Sequence, residues 1–66
     1  MAIIKVLEIL ASSDKSWEDA AQNAVTEASK TVRNIRSANI QNMSSVVEDG
    51  KIKEFRVNCK IAFEVK

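Results

Sequence analysis

The stretch that decides the fold is FRVNCKIAFEV, residues 55–65, at the end of a chain of 66 residues. Apolar residues occupy every second position of this stretch, and polar residues or alanine lie between them. A period of two held this long predicts a β-strand with one buried and one wet face. One helix is too short to cover such a strand, so another copy of the chain is expected to shield the rest.

Length and composition also favour self-association. A single domain, 1–66, is expected, and a chain of this size buries only about 60 % of its unfolded surface. The one cysteine, Cys59, cannot form an internal disulfide, and the lack of histidine disfavours zinc. Contacts between copies are therefore the expected source of additional stability.

Charge and hydropathy exclude several classes of protein. No stretch approaches the roughly 18 consecutive apolar residues of a membrane span, and Lys5 and Glu8 interrupt the amino-terminal segment, so no signal peptide is predicted. A net charge of +1 is too small for charge-driven nucleic-acid binding. The unpaired Cys59 suits a reducing compartment. The chain is predicted to be soluble and cytoplasmic, with no membrane or nucleic-acid partner.

The chain before the last strand divides into a strand, a helix and a second strand. Residues 2–11, rich in Ile, Val and Leu, predict a strand covered on much of both faces. Residues 12–15 form a polar break, and Ser16 and Asp19 then resemble a capping box. The predicted buried stripe of the helix is Trp17, Ala20, Ala21, Ala24, Ala28, Val32 and Ile35. Arg33 is expected near the helix end together with Arg36, because cations are favoured there.

The second strand is predicted from Ser37 to about Val47, with a bulge within residues 43–46. Asp49-Gly50 is a strong signal for a two-residue hairpin turn into the last strand. The expected fold class is α+β, with element order β-α-β-β and a three-stranded antiparallel sheet, order 1-3-2, packed on one helix. The sheet face away from the helix is expected to carry Ser37, Asn39, Glu54, Arg56, Asn58 and Lys60.

Catalytic chemistry is not indicated. Without histidine, no side chain has an unperturbed pKa near neutrality, and a serine nucleophile activated by histidine is excluded. Glu8, Glu54 and Glu64 could share the polar sheet face, but solvated surface charges explain them better. Small oligomeric tautomerases share this size but use an amino-terminal proline as base, and this chain has no proline. The chain is predicted not to be an enzyme.

Two features at the helix start have both a structural and a functional interpretation. Asp14, Glu18 and Asp19 could bind calcium, but the D-x-D-x-D-G spacing is absent and helix capping explains them. No metal ligands are therefore assigned. Trp17 is interpreted as a core anchor that closes the helix against the sheet, and a stacking platform for a ligand is the alternative.

The chain resembles the dodecins over nearly its whole length. The matching segments are KVLEI at 5–9, ASS at 11–13, SWEDAA at 16–21 and AFEV at 62–65. The resemblance implies a helix on a three-stranded antiparallel sheet and assembly as a hollow homododecamer. It also implies a non-catalytic protein that binds a small-molecule ligand. Many dodecins store or quench flavins, bound as stacked pairs between subunits.

Two positions depart from the flavin-binding dodecins. Those members have a tryptophan that stacks on the flavin where this chain has Ser37, and a glutamine that bonds the ring edge where it has Arg56. Ser37 and Arg56 are the candidate ligand-binding residues, but binding of riboflavin or FMN is expected to be weak because serine cannot stack. Some dodecin-like sequences that have the Ser-Trp-Glu helix start and lack the strand-two tryptophan look like a separate, calcium-associated branch, and this chain is similar to that branch. A flavin-free, calcium-binding or ion-binding shell is therefore an alternative.

Two other classes stay open. A small nucleic-acid-binding module would need exposed aromatics on its sheet, whereas Phe55 and Phe63 are expected to point inward. A purely structural assembly subunit is the other. A two-residue turn also places Ser37 opposite Ala62, six positions or about 20 Å from Arg56 along the strand. One site that uses both Ser37 and Arg56 must then combine different subunits, unless a bulge shifts the register.

Overall fold

The structure, a computed structural model, describes residues 2–65 as three strands and one helix. The elements are β1 (Ile3–Ser13), α1 (Trp17–Ser29), β2 (Ile35–Glu48) and β3 (Lys51–Val65). β3 lies between β1 and β2 and pairs antiparallel with both, so the predicted β-α-β-β order and the sheet order 1-3-2 are confirmed. Within residues 2–65, no helix has the length and apolar character to cross a membrane.

The core lies between small residues of α1 and alternate residues of β3. Its buried members are Ala20, Ala24, Ala28, Val57, Cys59 and Ile61. Alanine on the helix leaves room for the larger β3 side chains, so the two layers interdigitate. Burial also raises the pKa of the Cys59 thiol, because the thiolate would be desolvated there. The inward alternation predicted for the last strand is thus confirmed.

β1 extends beyond its predicted end. Ser12 and Ser13, predicted to lie in a polar break, both pair with β3. The Ser13 hydroxyl is buried, donates to Asp19 Oδ2 at 2.6 Å and accepts from the Lys15 backbone N–H at 2.9 Å. Because these hydrogen bonds satisfy the hydroxyl, a serine is tolerated in the strand. The prediction of a break at residues 12–13 is wrong.

α1 begins where the sequence predicts. Ser16 is the N-cap, and its Oγ accepts a hydrogen bond of 2.9 Å from the Asp19 backbone N–H. The capping box is not reciprocal, because the Asp19 carboxylate accepts from Ser13 instead. The preference for a polar N-cap explains the helix start without a ligand.

Trp17 anchors the start of α1 to two strands. Its Nε1 donates to the Ser44 carbonyl oxygen of β2 at 3.0 Å. Its ring meets Phe55 of β3 edge to face, with centroids 4.9 Å apart. Edge-to-face geometry is favourable for aromatic pairs. The contacts agree with the predicted anchor, although 36 % of Trp17 remains exposed at the edge of the core.

α1 ends earlier than its apolar stripe predicts. The helix stops at Ser29, and the Val32 N–H closes a last turn on the Ala28 carbonyl oxygen at 2.8 Å. Asn34 then takes a left-handed backbone conformation, with φ 63°, and redirects the chain into β2. Val32 and Ile35 are therefore not helical, although Ile35 still packs against the core from β2.

The two arginines predicted at the helix end lie elsewhere. Arg33 follows the last helical residue by four positions, and Arg36 lies in β2. The Arg36 guanidinium donates to Glu64 Oε1 at 3.0 Å, which is an ion pair across the sheet. The prediction that Arg33 and Arg36 complement the helix dipole is wrong.

The hairpin of β2 and β3 is irregular at three places. The register skips Arg36, Gln41 and Lys53, whereas residues 43–46 pair regularly, so the predicted bulge position is wrong. The turn itself is confirmed: Asp49 and Gly50 have φ of 51° and 75°, the two positive values that a type I′ turn requires.

Candidate functional site

The sheet face opposite α1 is called the open face. Alternation and register place on it the even-numbered residues of β1, the even-numbered residues of β3 from Glu54 onward and, from β2, Ser37, Asn39, Asn42, Ser44 and Val46. The polar residues that the sequence predicts for this face are confirmed there. β1 adds three exposed apolar side chains that were expected to be covered, Ile4, Val6 and Leu10, with Glu8 between the last two.

A cavity of about 430 Å³ lies on the open face near the middle of the sheet. The three strands contribute its lining residues, which are Leu10, Ala11, Ser12, Asn42, Ser44, Arg56, Val57 and Asn58. Apart from Arg56 its lining is neutral: Leu10 and Ser12 lie on β1, Asn58 on β3, and Asn42 and Ser44 on β2. This mixture of an apolar wall and a few polar groups is typical of small-molecule sites.

Arg56 is the charged residue in the cavity lining. It lies on β3 between Ser12 of β1 and Ser44 of β2, its cross-strand neighbours. Among residues 2–65 its guanidinium makes no ion pair and no side-chain hydrogen bond within the protomer. An unpaired guanidinium offers five N–H donors in a planar arrangement.

Asn58, one step further along the open face, has an unsatisfied amide. Its Oδ1 is buried and lacks a hydrogen-bond partner among the described residues. Its cross-strand neighbours are Leu10 and Asn42. Buried polar atoms without a partner are uncommon in native proteins, so the Asn58 amide is a candidate to bind a ligand in the cavity.

Ser37 lies far from the cavity within one protomer. It faces Ala62, as predicted, because the one-residue offsets at Gln41 and Lys53 cancel. Arg56 is six residues from Ala62 along β3, a distance of about 20 Å. The structure therefore does not bring the two predicted site residues together in one protomer.

The acidic side chains are dispersed. Glu8 lies opposite Lys60, and along β3 this level is about 20 Å from Glu54 and about 13 Å from Glu64, so no carboxylate pair forms. Within residues 2–65, no group of three or more acidic or cysteine side chains is placed to hold a metal ion. Of the acidic cluster at the helix start, Asp19 is engaged by Ser13.

The sequence of the chain matches a known protein family. The sequence profile of the dodecin family matches residues 3–66. The chain belongs to the dodecin family. The calcium dodecin of Mycobacterium tuberculosis is 30 % identical to it over 66 residues, which cover 100 % of this chain and 93 % of the relative.

Solved dodecins have the same fold. The dodecin of Streptomyces coelicolor superposes with a TM-score of 0.94 at 28 % identity, covering 98 % of this chain and 93 % of the other. The crystal structure of the M. tuberculosis calcium dodecin, described as having a novel calcium-binding site, gives a TM-score of 0.84 at 34 % identity. That match covers 97 % of this chain and 91 % of the calcium dodecin.

Of the residues that line this dodecin's cavity, Arg56 and Asn58 were predicted to lie on this face, and Arg56 to bind a ligand; Leu10 and Asn42 were not predicted there. Leu10 belongs to an apolar-rich strand, and its outward position follows only once β1 is aligned with β3. Asn42 was hidden by the bulge at Gln41, which reverses the parity of β2. Antiparallel register combined with alternation could have identified Leu10.

Proposed function

We propose that this dodecin is a non-catalytic homo-oligomer of twelve copies that binds and stores a small molecule within a hollow shell. The exposed apolar side chains of Ile4 and Val6, which are neighbours on the open face of β1, carry the proposal. Neighbouring exposed apolar side chains on one face are typical of surfaces that other chains cover. Membership of the dodecin family supports the same assembly.

Flavin is the ligand associated with many dodecins, and the residues of this chain do not favour it. Ser37 has no ring to stack on a flavin, and a guanidinium at position 56 replaces the glutamine amide that would bond its edge. The stored molecule is therefore expected to differ from a flavin, and riboflavin is expected to bind weakly.

Calcium is a second candidate, favoured by the similarity to the calcium dodecin of M. tuberculosis. No set of ligands for it is assigned on this chain. Equilibrium dialysis against calcium, with magnesium as the competing ion, separates the two candidates: calcium uptake that magnesium does not displace supports an ion-binding shell.

Assembly through the open face predicts a specific effect of a charge at Val6. Val6→Asp is expected to leave the β-α-β-β fold intact and to break the oligomer, because an unpaired carboxylate would be buried between copies. Loss of the valine contact alone costs at least about 1.5 kcal/mol per copy. Light scattering coupled to size exclusion should give about twelve chain masses for the wild type and far fewer for the variant.

The matched control adds the same charge on the exposed side of α1. Thr26→Asp is expected to keep the wild-type mass, since residue 26 is exposed on the helix. A wild-type protein that sediments as a stable monomer would contradict the proposed shell. An unchanged oligomer mass for Val6→Asp would instead mean that the interface between copies does not lie at this part of the open face.

A further inference from the structure

We propose that the cavity around Arg56 takes a small anionic ligand, in which a carboxylate or phosphate group is attached to an apolar body. The proposal rests on the proposed ligand-binding function and adds the chemical class of the ligand. The juxtaposition that carries it is an unpaired guanidinium, an exposed leucine and an unsatisfied amide in one cavity.

The positive charge of Arg56 is not balanced within the protomer's cavity. Arg56 is flanked by the neutral hydroxyls of Ser12 and Ser44, and no acidic side chain lines the cavity. By contrast, Arg36 has Glu64 as its ion-pair partner and Lys53 has Glu48. A planar guanidinium matches a carboxylate or phosphate with two parallel N–H···O hydrogen bonds.

Leu10 gives the cavity an exposed apolar side chain. Leu10 is 78 % exposed and lies directly opposite Asn58 on the neighbouring strand. A leucine this exposed at the edge of a cavity favours a ligand with apolar surface to cover it. A free inorganic anion would use Arg56 and leave Leu10 in water, so an organic anion fits the cavity better.

The Asn58 amide supplies a polar group that a ligand could satisfy. Its buried Oδ1 lacks a donor among the described residues. The last torsion of an asparagine side chain has a broad range, so the amide can rotate its oxygen towards the cavity. A hydroxyl or N–H group on the ligand would then satisfy it, next to the anionic group held by Arg56.

The competing explanation is that a carboxylate from a sister copy neutralises Arg56 in the shell. In that case Arg56 would be an assembly residue, and its replacement would change the mass of the oligomer rather than ligand selectivity. The two explanations therefore differ in which measurement responds.

The test uses two fluorescent probes that share a naphthyl body, the anionic 2-naphthyl phosphate and the neutral 2-naphthol, titrated against the intact oligomer. Wild type is expected to bind the phosphate about tenfold more tightly, as expected for one charge-assisted contact. Arg56→Gln should abolish this preference with the oligomer mass unchanged. Lys60→Gln, which removes a charge from the same face outside the cavity lining, should retain it.

Equal affinities for the two probes in wild type, or no binding of either, would overturn the anionic-ligand assignment. An equal loss of preference in Lys60→Gln would overturn the role of Arg56. If Arg56→Gln disassembles, Arg56→Lys keeps the charge but not the planar donors, and a wild-type preference in an intact Arg56→Lys oligomer would contradict bidentate binding. Light scattering on the wild type tests the shell separately, so failure of the proposed function is distinguishable.

Discussion

Ser37→Trp is expected to raise the affinity of this dodecin for a stacked pair of riboflavin molecules by roughly 30-fold to 20,000-fold. By analogy with base stacking, an aromatic platform contributes about 1–3 kcal/mol per stacked ring, and a stacked pair of flavins would use two. Residue 37 lies on the open face opposite the small side chain of Ala62, so an indole there has no bulky cross-strand neighbour. Quenching of flavin fluorescence measures the gain directly.

Ser37→Leu is the control, because it adds apolar surface at the same position without an aromatic ring. It is expected to give far less quenching than Ser37→Trp. Strong quenching by the wild-type protein would show that stacking at position 37 is not needed. An Arg56→Gln change combined with Ser37→Trp would then report whether the guanidinium also disfavours the flavin edge.

Ile61→Ala is expected to lower the free energy of unfolding by about 2–5 kcal/mol. Ile61 is fully buried and lies in the core cluster with the alanines of α1. The loss combines the transfer free energy of the removed carbons with the cavity they leave. For a chain of 66 residues this is a large share of the total stability.

Guanidinium denaturation at one fixed protein concentration measures the effect, because the stability of an oligomer depends on concentration. Ile61→Val removes one methylene and should cost about 0.5–1.5 kcal/mol, which gives a graded series. Lys60→Ala, the exposed neighbour on β3, should change stability by less than about 0.5 kcal/mol. Equal losses at positions 60 and 61 would mean that the helix does not cover β3 as described.

The sheet was predictable because its signals are local. The alternation over residues 55–65 assigns each side chain of β3 to a face without reference to the rest of the chain. Asp49-Gly50 likewise selects a turn through backbone preferences of two adjacent residues, and both are at positive φ. Once the hairpin and the crossover helix are in place, few arrangements of three strands remain.

The end of α1 was not predictable from the same kind of signal. Val32 and Ile35 continue the helical spacing by coincidence, and the chain leaves the helix through a left-handed asparagine rather than a glycine. Asparagine takes this conformation less readily than glycine, so the sequence carries only a weak stop signal.

In the candidate site, too, the features set by local sequence signals were predictable and those set by strand pairing were not. Arg56 could be placed on the open face from alternation, but the cavity depends on how three strands align. The irregularities at Gln41 and Lys53 arise from the pairing of two strands, and a single strand's sequence does not specify them. Asn42 therefore could not be assigned to the cavity from the sequence, whereas Leu10 required only the alignment of β1 with β3.

Those two irregularities also determine where the hairpin tolerates a change of length. Removing Gln41 or Lys53 would straighten the ladder locally and keep every existing cross-strand pair. Removing a residue of β2 within positions 42–46 would instead move the side chains on one side of the deletion to the opposite face of the sheet. Shortened relatives of this chain are expected to have lost a residue at one of these two positions.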